Sequence, residues 1–168
     1  MNIEFRLSEK LYKAIHSDLH RKHAYAAERV GFIKCALSKL NENDLLVLAN
    51  SYMSLDDEDY VYNPNAGATM GTGAIRKALQ TAYNERCAMF HVHRHDHFGI
   101  PRFSRTDLVE GHKFVPDFFK VQPNSCHGII VLSFDSASGL CWLPNNASPT
   151  PLNAVSVNGR LINARRTI

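Results

Sequence analysis

The sequence has little that would brace a fold from outside its core. Its four cysteines, Cys35, Cys87, Cys126 and Cys141, contain no Cys-x-x-Cys pair. That spacing argues against a disulfide framework and against a cysteine-ligated zinc site, and it fits reduced thiols buried beside apolar runs. A strong charge bias is also missing. The net charge is +3 with histidine neutral, short of the clustered basic patch that nucleic-acid binding needs. The one basic cluster, Arg160 to Arg166, reads as a solvated strand end. No apolar run approaches membrane-spanning length, and stretches such as Gly128 to Leu132 are far too short. The first ten residues carry charges where a signal peptide needs an apolar region. Repeats, low-complexity tracts and linkers are absent. Gly71-Thr72-Gly73 is no phosphate loop, because no Gly-Lys-Ser/Thr follows it. These absences lead to the expectation of one cytoplasmic domain over residues 1–168, with neither a nucleic-acid nor a membrane partner.

What is present is core material: 45% hydrophobic residues against 21% charged, enough to bury a proper interior. Asn2 to Leu7 reads as a strand. Ser8 then caps a helix whose stripe Leu11, Ile15 and Leu19 ends near His23. His16, His20 and His23 fall off that stripe and read as solvated. A strand is expected from Glu28 onward, with Glu28, Val30 and Phe32 on one side. Another follows over Leu45 to Met53. Asp56 to Asp59 reads as an acidic loop, Asn63 to Gly73 as a longer loop, and Ala74 to Glu85 as a helix. Beyond residue 107 a helix stops before Pro116. His127 to Phe134 is a buried strand, Ser136 to Gly139 a turn, and Leu140 to Leu143 a strand that pairs back. Val155 to Ile162 is a hairpin turning at Asn158-Gly159. The sum is α+β: a mixed sheet with helices packed on it.

The chemistry concentrates in residues 87–107, CAMFHVHRHDHFGIPRFSRTD. A short strand delivers His91 and His93, which point to one face with Cα atoms about 7 Å apart. His95 and His97 continue the alternation. A row about 20 Å long cannot close on one ion, so two neighbours bind and a further ligand comes from elsewhere. Ser104 and Asp107 read as N-cap and first turn of a helix. Two histidines and a carboxylate, with a fourth position open to water, compose a catalytic zinc site. Each part has a plainer reading: His-x-His as surface histidine, Ser-x-x-Asp as a capping box.

His91-x-His93 followed by Ser104-x-x-Asp107, with the upstream segment Glu28-Arg29-Val30-Gly31-Phe32-Ile33, resembles the signature of JAB/MPN (JAMM) metalloproteases. The order of elements matches along nearly the whole chain. Two departures stand out. Arg94 occupies the place of the family's usual proline. Ten residues, Arg94 to Phe103, separate the second histidine from the serine where the family usually has about seven. One alternative is that His95 or His97 displaces one of the usual ligands.

The resemblance implies a cytidine-deaminase-like fold with a mixed curved β-sheet flanked by helices. It implies one catalytic Zn2+ held by His91, His93 and Asp107, Glu28 as acid/base, and Ser104 as oxyanion donor. The implied activity is that of a deubiquitinase-like isopeptidase or peptidase. It would cut after the C-terminus of a ubiquitin-like modifier, for deconjugation or maturation, with antiviral defence as one implied setting. The modifier's conjugates and its activating and conjugating enzymes are the implied partners. Release of an amino acid or peptide from a ubiquitin-fold sulfur carrier would use the same chemistry. A non-catalytic MPN scaffold and a plain metal-binding module on the His91 to His97 row are the alternatives from other classes. The acidic loop is a candidate reader of basic residues in a substrate tail.

Overall fold

The computed structural model describes residues 1–158 and 160–164. Nine strands and three α-helices are found there, in the order β1 (Asn2–Leu7), α1 (Glu9–Leu19), β2 (Val30–Lys39), β3 (Asp44–Ser54), α2 (Thr72–Glu85), β4 (Ala88–Arg94), α3 (Arg105–Phe118), β5 (His127–Leu132), β6 (Ala137–Trp142), β7 (Thr150–Pro151), β8 (Ala154–Val157) and β9 (Arg160–Ala164). The strands form one sheet in the order β7-β6-β5-β4-β2-β3-β1-β8-β9. β1 is parallel to β3 and β8, and β4 is parallel to β5; the remaining pairs are antiparallel. The sheet curls into a half-barrel, as right-handed twist accumulated over many strands requires. Asn163 of β9 donates to the Ala137 carbonyl of β6, and Ser136 donates to the Ile162 carbonyl, so strands far apart in sheet order meet.

Alternation along the central strands sends two sets of side chains to opposite faces. Phe90 and Val92 of β4, Ile33 and Cys35 of β2 and Ile130 and Leu132 of β5 pack with Ile15 and Leu19 of α1. Met89 of β4 and Val30 and Phe32 of β2 pack instead with Ala74, Ala78 and Ala82 of α2 and Phe118 of α3. By the same period of two, His91 and His93 share the face of Met89, beneath α2 and α3. Cys35, Cys126 and Cys141 are buried free thiols, as the sequence implies, and Cys87 is half-buried. Gly31 is glycine for a local reason: a Cβ there would lie 2.3 Å from the Tyr52 hydroxyl, which donates to Asp18.

The structure departs from the sequence reading at several points. α1 ends at Leu19, with His20 as its C-cap. His16 and His23 are not solvated: His16 Nε2 is buried, and His23 Nδ1 accepts from the amides of Tyr25 and Ala26. Burial first, then the charge of Arg94, lowers the His16 pKa to about 4. Pro116 lies inside α3, where it removes one backbone donor near the end, and the helix closes after Phe118. The turn after β5 comes earlier, at Ser133 to Ser136, where the Ser133 hydroxyl accepts from the Ser136 amide. The acidic segment is a short 3-10 turn at Asp57–Asp59 that is already engaged: Asp57 pairs with Arg29 and Asp59 with Lys77. Asn158 has the positive φ of 48° expected for its turn, while Gly159, Arg165 and Arg166 lie outside the described residues.

Candidate metal centre

β4 carries His91 and His93 out to the rim of the sheet, and the chain then bends away. The amide of His95 donates to the Leu132 carbonyl. This anchors the residue just beyond the strand and turns its ring back, so that Nε2 of His95 lies 3.3 Å from Nε2 of His93. Across the β2–β4 ladder Val30 pairs with His93. Continuing that antiparallel register places Glu28 opposite His95.

Glu28 is not itself on the strand, contrary to the sequence reading. β2 begins at Val30 because Arg29 turns the chain: its guanidinium donates to the carbonyls of Arg21 and Lys22 and to the Asp57 carboxylate. The Glu28 amide donates to the Gly67 carbonyl at 2.9 Å. Tyr60 seals the strand end, its hydroxyl donating to the Val30 carbonyl and accepting from the Val30 amide. The Glu28 carboxylate has no hydrogen-bond partner among the described residues.

α3 begins with the cap expected of it. Ser104 is the N-cap, its hydroxyl accepting from the Asp107 amide at 3.1 Å, while Asp107 Oδ2 accepts from the Ser104 amide at 2.6 Å. This is a reciprocal capping box. The same Oδ2 stands 3.5 Å from His93 Nε2 and 3.9 Å from His95 Nε2. Partial burial alone would raise the Asp107 pKa. Hydrogen bonding and charge from His93, with the Ser104 contacts, outweigh it and hold the carboxylate well below its usual range.

Glu28, His93 and His95 thus form a group whose donor atoms lie within 4.8 Å of one another and could hold a metal ion, and Asp107 stands beside it. The spacings fit a small cation. Tetrahedral ligands about 2.0–2.1 Å from one ion sit about 3.3 Å from each other, close to the separations of His93 from His95 and Asp107. The donor set, two imidazoles and one or two carboxylates, suits zinc and the neighbouring divalent metals. All of these residues line one cleft of about 420 Å³ together with Ser104.

His91 sits differently from the sequence expectation. Its ring centroid is 5.8 Å from that of His93, and its edge contacts are Phe114 at 5.2 Å and Phe32 at 5.6 Å. Nε2 is buried without a hydrogen-bond partner. Burial, then His93, lowers its pKa to about 3. His91 lines the inner end of the cleft, and His95 takes the place beside His93 that the sequence reading gave to His91. One signal in the sequence pointed to His95. Counted from it, the interval to Ser104 is eight residues, Asp96 to Phe103, much nearer the JAMM interval than the ten counted from His93. His97 remains exposed on the lip, where its amide donates to the His95 carbonyl.

Compared with known proteins, the sequence matches no family profile and no curated relative. Among solved structures the chain is similar to the Trichoplax adhaerens STIL N-terminal domain. The identity is 12% and the TM-score 0.36, over 80% of this chain and 39% of that one. A likeness that distant carries no argument about what this chain does.

Proposed function

We propose that this chain is a zinc-dependent hydrolase of the JAMM type, with His93, His95 and Asp107 as metal ligands. Glu28 is its acid/base and Ser104 its oxyanion donor. The observation that carries the reading is the convergence of those four side chains beside a helix-capping serine, at the edge of one cleft. The shorter interval from His95 to Ser104 supports it, because that register brings the sequence closer to the JAMM pattern. Asp107 is assigned as ligand because its charge is already fixed by His93 and the helix cap. Glu28 is assigned as base because its carboxylate is unengaged.

A divalent cation in such a site acidifies a coordinated water and polarises a carbonyl when it is bound. The chain's own groups supply the rest. His93 and His95 offer their ring nitrogens as donors, and burial, then His93, lowers the His95 pKa. Glu28, beside the histidine pair, takes a proton at its carboxylate and returns it to the departing amine. The Ser104 hydroxyl accepts from the Asp107 amide. Its own proton is therefore directed elsewhere, available to an oxyanion forming in the cleft, a contact typically worth a few kcal/mol of barrier.

The substrate class follows from the JAMM resemblance: an amide or isopeptide at the C-terminus of a ubiquitin-like modifier, cut for deconjugation or maturation in the cytoplasm. The test is cleavage by purified protein of the ubiquitin-like protein encoded nearest its gene, with and without a chelator. The expected result is cleavage that stops on chelation and returns with zinc. Cleavage indifferent to chelator would overturn the reading.

A further inference from the structure

Glu28 has left its strand, so something other than the β-ladder must hold its carboxylate at the histidine pair. The contact is with the segment 63–70, which lines the cleft opposite α3. That segment is closed at its base by the Tyr60–Met70 bridge and by the Val61 amide donating to the Thr69 carbonyl. Asn63 ties it across, donating to the Thr69 hydroxyl. At its centre the Gly67 carbonyl accepts the Glu28 amide. A Cβ built on Gly67 would meet the Glu28 carboxyl carbon at 2.8 Å and both carboxylate oxygens at 3.0 Å.

Gly67 has no positive φ to explain why it is glycine. Its backbone is open to any L-residue, so what glycine provides here is space. The carboxylate lies against the bare α-carbon of Gly67 while the adjoining carbonyl fixes the Glu28 backbone. We infer that Gly67 is the positioning residue for Glu28. It leaves the one recess in which the carboxylate reaches the His93–His95 pair, so a methyl group at residue 67 displaces the acid/base without unfolding the site. The far end of a flexible side chain is the cheapest thing for that methyl to move. This rests on the role proposed for Glu28, and its test separates the two.

The experiment is a double-variant cycle of Gly67→Ala with Glu28→Ala. It is read by the visible spectrum of bound Co2+, by thermal unfolding of the metal-free protein, and by turnover. In the Glu28 background, Gly67→Ala should keep metal and lower the unfolding midpoint measurably, by no more than a few degrees. It should also change the Co2+ spectrum and lower kcat at least tenfold with KM little altered. In the Glu28→Ala background the same substitution should leave the Co2+ spectrum unchanged. A Gly67→Ala spectrum and kcat equal to the parent's would overturn the inference, as would an equal spectral change in both backgrounds. Should Gly67→Ala fail to fold, folding of the Gly67→Ala/Glu28→Ala protein supports the contact, and failure of both overturns it. If the parent binds no Co2+, the proposed function fails. The thermal cycle then decides the contact alone: any loss on Gly67→Ala must vanish without Glu28, and a loss of equal size in both backgrounds, or none in either, sinks it.

Discussion

At the scale of single residues, the candidate centre divides into groups that hold and groups that act, and substitutions should separate them. Glu28→Gln preserves the size of the side chain and removes its basicity. It should retain zinc while turnover falls by at least a hundredfold, checked by metal analysis and steady-state kinetics on the same preparation. An active Glu28→Gln protein would contradict the acid/base role. Ser104 caps α3 and is the proposed oxyanion donor, so its removal should show in two measurements. Ser104→Ala should lower kcat by about ten- to a hundredfold through the lost oxyanion contact. It should also cost about 1 kcal/mol of stability through the lost N-cap bond to the Asp107 amide. A Ser104→Thr variant keeps the cap and should recover the stability. His91 belongs to neither group. Its ring packs between Phe32 and Phe114, behind the pair that meets at the rim.

At the scale of elements, what was legible in the sequence follows from what each signal measures. Strict alternation in Phe90-His91-Val92-His93 gave β4 and the shared face of its histidines, and the Ser104 cap gave the start of α3 to the residue. The ladder is not printed in the sequence. Only the pairing of Val30 with His93 shows that Glu28 comes level with His95, and only the bend after Arg94 shows that His95, just beyond the strand, can still approach His93. The strand stops short of Glu28 because the Arg29 guanidinium takes three partners from the α1 end and the acidic turn, a tertiary demand with no local signature. The burial of His16 in α1 and of His23 just beyond it likewise depends on tertiary neighbours and has no local signature. The β4–β5–β6 stack makes a prediction of its own. A Cβ at Gly128 would meet the Leu140 carbonyl at 2.3 Å and the Phe90 ring at 2.4 Å. Backbone cannot yield as a side chain tip can, so Gly128→Ala should destabilise by more than about 2 kcal/mol. Denaturant unfolding checks it, and a near-parent midpoint would show that the stack is looser than described.

At the scale of the whole molecule, a half-barrel with helices on both faces buries several histidines as neutral groups, and that couples stability to pH. Burial lowers the His127 pKa to about 4, against a partial opposing effect from the Gln122 carbonyl, and His16 is lowered to about 4 as well. In the unfolded chain both titrate near 6.5. Between those values the unfolded state binds more protons, so metal-free protein should lose stability as pH falls from about 6.5 toward 4, by up to about 1.4 kcal/mol per unit for each fully buried ring. A midpoint of unfolding that stays flat across that window would contradict the buried neutral assignment. The sheet face covered by α2 and α3, opposite the one packed on α1, is where a loop glutamate, a strand-end pair of histidines and a first-turn aspartate come to one edge. The most direct measurement is the metal-to-protein ratio of the purified parent, His95→Ala and His91→Ala proteins. The account predicts one zinc per parent chain, none in His95→Ala and an undiminished ratio in His91→Ala; a metal-free parent, or zinc kept by His95→Ala and lost from His91→Ala, would contradict it.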